Sequence, residues 1–122
     1  LFISDMIKKI DNSKNEVIIG GSGNQIRDYI FIEDLVEAIY IISNNGIPGE
    51  DYNICSGRKY TLLDITKNLV KIMDRKDLAI KCDGMTYKGD IEKWYGDPKK
   101  IQKIGFNQNH SLEQGLKKTL YK

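Results

Sequence analysis

The chain has 122 residues, of which 40% are hydrophobic and 30% are charged, and its formal net charge is +2. This composition suits a globular domain with its own core, and the small net charge gives no electrostatic argument for nucleic-acid or membrane binding. One histidine and two cysteines, Cys55 and Cys82, argue against a metal site, although one disulfide is left open. With no apolar run near the length of a membrane span and no signal-peptide pattern, we expect a cytoplasmic protein.

The first half of the chain predicts two helices and two strands. An apolar stripe predicts a helix over residues 1–10, and apolar runs predict strands at 17–19 and 29–32. A broad apolar face predicts a helix over residues 33–43. Asp34 is expected to cap the start of this helix, since aspartate is a preferred capping residue.

The second half predicts three more helices. Thr61 is a predicted N-cap with Asp64 at the third helical position, and that helix is expected to run to about residue 73. Ser111 begins the last helix, and Gln114 completes a capping-box pattern. The remaining predicted segments are strands at 52–55 and 78–82, an irregular stretch at 84–96 and a short helix at 98–104. Because strands and helices alternate, an α/β or α+β fold is favoured.

A glycine-rich stretch that leads to an arginine is the strongest indication of a binding site. Gly20, Gly21 and Gly23 follow an apolar run and allow the backbone to adopt positive φ and to approach a ligand closely. Arg27, four residues later, carries a rigid five-donor group suited to phosphate oxygens. The spacing predicts an anion site for a phosphate or diphosphate. An ordinary hairpin connection with an exposed Arg–Asp pair is the open alternative.

The two common glycine-rich phosphate motifs do not match this stretch. A Walker loop requires Gly-Lys-Ser/Thr after the glycines, and none follows Gly23. The dinucleotide fingerprint requires a third glycine, and position 26 is isoleucine.

Residues 21–34 resemble a segment of the extended short-chain dehydrogenases/reductases, the NAD(P)-dependent epimerases and dehydratases of nucleotide-diphosphate sugars. The segment in that family reads Gly-x-Gly-x-x-x-Arg-Asp-aromatic, followed by an apolar stretch and Glu-Asp. Further similar motifs follow in the same order: Tyr-Asn-Ile-Cys-Ser-Gly at 52–57, Gly-Asp at 89–90, Tyr-Gly-Asp-Pro-Lys-Lys at 95–100, Ile-Gly-Phe at 104–106 and Ser-Leu-Glu-Gln-Gly-Leu at 111–116. The resemblance covers nearly the whole chain.

The resemblance implies that residues 1–122 are the C-terminal, nucleotide-sugar-binding portion of such an enzyme. The fold would be an α/β (α+β-like) fragment with short strands and about five helices. The dinucleotide fingerprint and the catalytic Tyr-x-x-x-Lys pair would lie upstream, so no catalytic residue is assigned here. NAD or NADP would be bound mainly by an N-terminal domain absent from this chain. The complete enzyme would be a 4-epimerase or a 4,6-dehydratase, and a homodimer.

The resemblance also implies the residues that bind the nucleotide sugar. Arg27 would hold the diphosphate, and Gly21 and Gly23 would face the nucleotide with their backbone groups. Where the family places a second phosphate-binding arginine, this chain has Tyr87, and the neighbouring Lys88 is the candidate replacement for the charge.

Other residues have expected roles that are mainly structural. Asp90 is either a ribose contact or a turn aspartate, and both interpretations are open. Asp28 is expected to hold the glycine loop or Arg27 by hydrogen bonds. The structural expectations for the remaining residues are that Trp94 packs against the end helices, Cys55 is a small buried residue and His110 is a surface residue.

Two further hypotheses do not require catalysis. The chain would be a non-catalytic nucleotide-sugar binding module, or a folded fragment without independent activity. In the second case, an apolar face of the helix over residues 33–43 would be exposed and would favour self-association.

Overall fold

The computed structural model describes residues 2–121, which form two compact units. The first unit comprises the described residues up to Arg27 together with Tyr60–Lys93, and the second comprises Asp28–Lys59 and the described residues from Trp94 onwards. The helices and strands, in chain order, are α1 (Phe2–Asn12), β1 (Glu16–Ile19), β2 (Ile26–Arg27), α2 (Ile32–Asn45), β3 (Tyr60–Thr61), α3 (Leu62–Ile72), β4 (Ala79–Cys82), β5 (Lys93–Trp94), α4 (Lys99–Gln102) and α5 (Leu112–Leu120). The predicted α/β class with five helices and short strands is confirmed.

The first unit is built around two parallel strands covered by helices. β1 and β4 pair in parallel, from Glu16 opposite Ala79 to Ile19 opposite Cys82. β1 buries every second residue, so its inner face packs against α3, and α3 also contacts α1. The buried apolar residues of this unit are Met6, Ile10, Val17, Ile19, Leu62, Ile65, Leu69, Val70 and Leu78. A second sheet has the strand order β3-β2-β5.

The second unit has a smaller core around the middle of α2. Ala38, Ile101 and Phe106 are buried together, and half-buried apolar residues surround them: Ile30, Ile41, Ile42, Tyr52, Ile54 and Ile104. α5 packs closely in this unit because Gly115 has no side chain, since a Cβ there would lie 3.2 Å from the ring of Phe31.

The capping residues correctly predicted where α3 and α5 begin. Thr61 and Asp64 form a reciprocal capping box at the start of α3, and Ser111 and Gln114 form one at the start of α5. α1, β1, α2, α3 and β4 all lie within about two residues of their predicted bounds, a normal uncertainty for element ends.

Two predicted strands are wrong. Residues 29–32 do not form a strand, because pairing stops at Arg27 and α2 begins at Ile32. β2 pairs only with the two residues of β3, and Thr61 at the end of β3 already caps α3. Residues 52–55 are irregular as well, and no described strand pairs with them.

One face of α2 is apolar and exposed. Ile32, Val36, Ile39 and Tyr40 recur at helical spacing and are each at least half exposed, from 51% to 65%. We call these four residues the α2 apolar face. Its exposure agrees with the expectation from sequence. Across residues 2–121, none of the helices combines the length and apolar character needed to cross a membrane.

Candidate functional site

The glycine loop, residues 20–23, connects β1 to β2 and adopts the backbone conformation that the sequence predicted. Gly21 has φ +85° and Gly23 has φ +76°, in the left-handed region that favours glycine. A Cβ on Gly21 would lie 2.0 Å from Nε2 of Gln25, and a Cβ on Gly23 would lie 2.6 Å from Sγ of Cys82. The space that the missing side chains leave is therefore filled by the unit's own side chains. Direct contact between these glycines and a nucleotide stays a prediction.

Asp83, the residue after β4, fixes the glycine loop by hydrogen bonding. Its Oδ1 accepts hydrogen bonds from the backbone N–H of Gly21 (2.8 Å) and of Met85 (2.9 Å), and its Oδ2 accepts from the hydroxyl of Tyr87 (2.6 Å). The hydrogen bond from Tyr87, followed by the two backbone donors, lowers the pKa of Asp83. The same bond raises the pKa of Tyr87, so the carboxylate stays charged and the phenol stays protonated at neutral pH. Sequence reasoning missed this cluster, although an Asp-Gly pair after a strand indicates a turn.

Arg27 and Asp90, which the resemblance assigned separately, form an ion pair. Nη2 of Arg27 lies 2.7 Å from Oδ1 of Asp90, and their side chains are 22% and 30% exposed. Nη1 of Arg27 donates to the backbone carbonyls of Ile26 (2.8 Å) and Ile91 (2.6 Å). Gln25 holds the other carboxylate oxygen of Asp90 through Nε2 at 2.9 Å. The guanidinium is thus fixed in place at the end of β2 and still partly open to solvent.

A cavity of about 280 Å³ adjoins this ion pair. Its walls come from residues 22–25 and from residues 84–92, and they include Gln25, Tyr87 and Asp90. The backbone N–H of Asp90 donates to the carbonyl of Tyr87 at 3.1 Å and closes a turn. Lys88 lies in this turn and is exposed. A phosphate contact for Lys88 stays a prediction.

Asp28 is structural, but it holds a different loop from the one expected. Its carboxylate accepts from the backbone N–H groups of Ser56 and Gly57, both at 2.9 Å, and from the hydroxyl of Ser56 at 2.5 Å. It forms no described bond with Arg27 or the glycine loop. Since the 56–57 turn supplies several donors to one carboxylate, Asp28 binds there and fixes the turn that follows residues 52–55.

Cys55 and Trp94 line a second cavity, of about 400 Å³, in the second unit. Burial, followed by the charge of Asp28, raises the pKa of the Cys55 thiol, which disfavours a reactive thiolate. Cys55 is half-buried, and it and Cys82 are free thiols, so the disulfide left open by the sequence is not formed. The expected packing of Trp94 is wrong, because Trp94 ends the two-residue strand β5, lines this cavity and is 64% exposed.

Asp34 is buried and contacts His110, a pairing that the sequence did not predict. Asp34 is 1% exposed and accepts from the backbone N–H groups of Asn109 and His110, both at 3.1 Å. Nδ1 of His110 lies 2.9 Å from Oδ1 of Asp34. Asp34 is therefore not the cap of α2, whose N-cap is Phe31 without a side-chain bond. From the third position of α2, the carboxylate instead reaches the loop before α5, and the His110 side chain beside it is half-buried rather than fully at the surface.

The described residues show no metal centre. Over residues 2–121, no three histidine, cysteine, aspartate or glutamate side chains come together in a group able to hold an ion.

The model of the GDP-mannose 4,6 dehydratase family matches residues 2–119, so the class is that of the extended short-chain dehydrogenases/reductases of nucleotide sugars. The chain belongs to the GDP-mannose 4,6 dehydratase family.

Individual relatives agree with this membership. A dTDP-glucose 4,6-dehydratase of Haemophilus influenzae is 34% identical over a match that covers 84% of this chain and 33% of the relative. The structure of a UDP-glucose 4-epimerase from Thermotoga maritima, solved with UDP-glucose, is 31% identical with a TM-score of 0.76, covering 98% of this chain and 38% of that one. A dTDP-glucose 4,6-dehydratase of Bacillus anthracis, solved with NAD, shares the fold with a TM-score of 0.80 at 21% identity, covering 98% of this chain and 38% of that one. The chain spans about a third of the length of such relatives.

The glycine loop does not fit the diphosphate of a dinucleotide cofactor. Dinucleotide sites place that diphosphate at a helix N-terminus directly after a glycine-rich turn. Here the loop runs from β1 into β2, and no helix begins at its end. We therefore do not assign the glycine loop to NAD or NADP.

Proposed function

We propose that residues 1–122 are the substrate-binding portion of an NAD(P)-dependent nucleotide-diphosphate-sugar epimerase or 4,6-dehydratase, in which Arg27 anchors the diphosphate. The observation that carries the proposal is the state of the Arg27 guanidinium. Two backbone carbonyls fix it, and the side chain remains partly exposed next to the glycine loop.

The Arg27 guanidinium keeps two N–H groups for a phosphate. A guanidinium has five N–H groups. Three are used, on the carbonyls of Ile26 and Ile91 and on Asp90. The two that remain, on Nε and Nη2, suit a bidentate contact with phosphate oxygens. Asp90 balances part of the positive charge, so a bound phosphate would share the guanidinium with this carboxylate.

The proposed contribution to the reaction is positioning. With the diphosphate held at Arg27, the hexose is directed away from the glycine loop in a restricted set of orientations, and such restriction lowers the barrier of a bound reaction. The bound NAD(P) would supply hydride transfer at the hexose. We propose that it is held mainly by an N-terminal domain outside residues 1–122, that the whole enzyme is a cytoplasmic homodimer, and that Gly21, Gly23, Lys88 and Asp90 complete the nucleotide-sugar site.

Replacing Arg27 by alanine tests this anchoring. We expect nucleoside diphosphates to lose roughly 1.5–3 kcal/mol of binding free energy, the range for hydrogen bonds to charged groups. Calorimetric titration with UDP, GDP, CDP and dTDP measures the loss, using the longest naturally expressed form of the protein. The base that binds best then indicates the substrate class.

Two further variants separate the effect of the planar guanidinium of Arg27 from the effect of its positive charge. Arg27→Lys keeps the positive charge and loses the planar fork, so we expect it to recover only part of the affinity. Arg58→Ala removes a positive charge in the second unit and should leave the affinity unchanged. Equal affinities of the Arg27→Ala and Arg58→Ala variants would rule out the anchoring role.

The α2 apolar face favours a second candidate, a folded chain that associates with itself. Exposed apolar faces of this kind mark association surfaces. We expect the isolated 122-residue chain to elute from size-exclusion chromatography as a concentration-dependent oligomer, and Val36→Lys/Ile39→Glu to shift it to monomer. Met85→Lys, at another exposed apolar residue, is the control that should not change elution. A wild-type chain that stays monomeric at every concentration would contradict this candidate.

A further inference from the structure

Tyr87 presents a fixed aromatic wall to the cavity beside Arg27. The side chain is 46% exposed, and its hydroxyl is bound to Asp83 at 2.6 Å. The ring edge lies over the glycine loop, where a Cβ on Gly20 would come within 3.3 Å of Cε2 of Tyr87. The ring thus occupies space that a side chain at position 20 would take. Because its hydroxyl is held by Asp83, the ring loses less freedom when a ligand binds than an unrestrained side chain would.

Gln25, in the same cavity wall, has a buried acceptor without a partner. The residue is 6% exposed, and its Nε2 donates to the carbonyl of Gly20 (3.2 Å) and to Asp90 (2.9 Å). Both of these partners are acceptors, so the amide orientation is determined, with the nitrogen towards them. Oε1 is left buried without a hydrogen bond to any described residue. Such groups are rare in folded proteins, and a donor from a bound molecule would satisfy this one.

The other polar groups of the cavity favour the same kind of ligand. Asp90 and Glu92 are carboxylates, which accept hydrogen bonds when ionised. The hydroxyl proton of Tyr87 is already used by Asp83. A ligand that suits this cavity therefore offers N–H or O–H donors, together with a flat face for the ring of Tyr87.

We infer that Tyr87 is the surface on which the base of a bound nucleotide stacks, and that Oε1 of Gln25 accepts a hydrogen bond from the nucleoside. The inference rests on the proposed function, because it takes the diphosphate at Arg27 as given. Gln25 and Arg27 hold the two oxygens of the same carboxylate, Asp90. A nucleotide whose diphosphate is bound at Arg27 therefore has its nucleoside within reach of this cavity.

Binding of nucleoside diphosphates compared with inorganic pyrophosphate tests the inference, since pyrophosphate has no base. Stacking of a base on an aromatic ring contributes about 1–3 kcal/mol, which corresponds to a loss of roughly 5- to 150-fold in affinity when the ring is removed. We expect Tyr87→Leu to weaken the binding of UDP, GDP, CDP or dTDP by a factor in this range and to leave pyrophosphate affinity unchanged. Tyr87→Phe keeps the ring and should retain most of the affinity.

Two further variants address the geometry. Gly20→Val leaves Tyr87 in the chain but places methyl groups where the ring lies, so it should also reduce nucleoside diphosphate affinity. Gln25→Met preserves the side-chain length and removes the acceptor, and it should weaken nucleoside diphosphates more than pyrophosphate. In the wild-type complex, nuclear Overhauser effects should connect the Tyr87 ring protons to protons of the base.

The outcomes distinguish this inference from the proposed function. If Tyr87→Leu binds nucleoside diphosphates as the wild type does, or loses nucleoside diphosphates and pyrophosphate equally, the stacking role is overturned. Should pyrophosphate binding still depend on Arg27 in that case, the proposed anchoring function stands alone. If the wild-type protein binds neither nucleoside diphosphates nor pyrophosphate, both are overturned.

Discussion

Replacement of Asp34 by alanine is expected to lower the free energy of unfolding by about 1–3 kcal/mol, the range for leaving a hydrogen-bonding group without its partner. The carboxylate is 1% exposed and satisfies two backbone N–H groups and the ring of His110. Alanine would leave these part-buried donors without their acceptor, which is more costly than the loss of an exposed hydrogen bond. Urea denaturation, followed by circular dichroism, measures the change.

Two control variants identify the cause of this loss. Asp34→Asn keeps one acceptor oxygen in place and should recover part of the stability. Glu33→Ala, one residue earlier, removes an exposed carboxylate that pairs with Lys118, and exposed ion pairs contribute little. A loss for Asp34→Ala no larger than that for Glu33→Ala would mean that the loop before α5 does not depend on Asp34.

Gly23→Ala is expected to be the other strongly destabilising change, by roughly 2–5 kcal/mol. An alanine at φ +76° costs about 1–2 kcal/mol from backbone strain alone. Its Cβ would also lie 2.6 Å from Sγ of Cys82, and overpacking of this kind typically costs a further 1–3 kcal/mol. The same denaturation measurement detects the sum.

The two contributions can be separated with variants in the same unit. Gly89→Ala has a similar φ, +84°, but nothing lies within 4 Å of the added Cβ, so only the backbone strain should appear. Combining Gly23→Ala with Cys82→Ala removes the contacting sulfur and should restore the packing part. If Gly23→Ala and Gly89→Ala destabilise equally, the close approach to Cys82 has no energetic consequence.

Helix capping and glycine backbone angles were predicted correctly, because both depend on residues close together in the chain. Capping at Thr61 and Ser111 depends on side chains three residues apart, so it was predictable without any tertiary information. The positive φ of Gly21 and Gly23 follows from the glycines themselves. The order of several short motifs along the chain was enough to indicate the family.

Strand lengths were less predictable because they depend on a partner strand. Residues 29–32 and 52–55 have suitable apolar side chains, but a strand requires hydrogen bonds to a neighbour. The two-residue β3 limits β2, and Asp28 holds residues 56–57 in a turn. Sequence patterns carry no information about where such a ladder stops.

The site shows the same division between local and distant effects. The family, the glycine loop and the candidate role of Arg27 were predictable because each follows from short motifs of neighbouring residues. The pairing of Arg27 with Asp90, 63 residues away, and of Asp34 with His110, 76 residues away, became visible only in the folded chain. The pairing of a polar side chain is settled by which distant backbone and side-chain groups folding buries beside it, because each buried donor or acceptor must find its partner there.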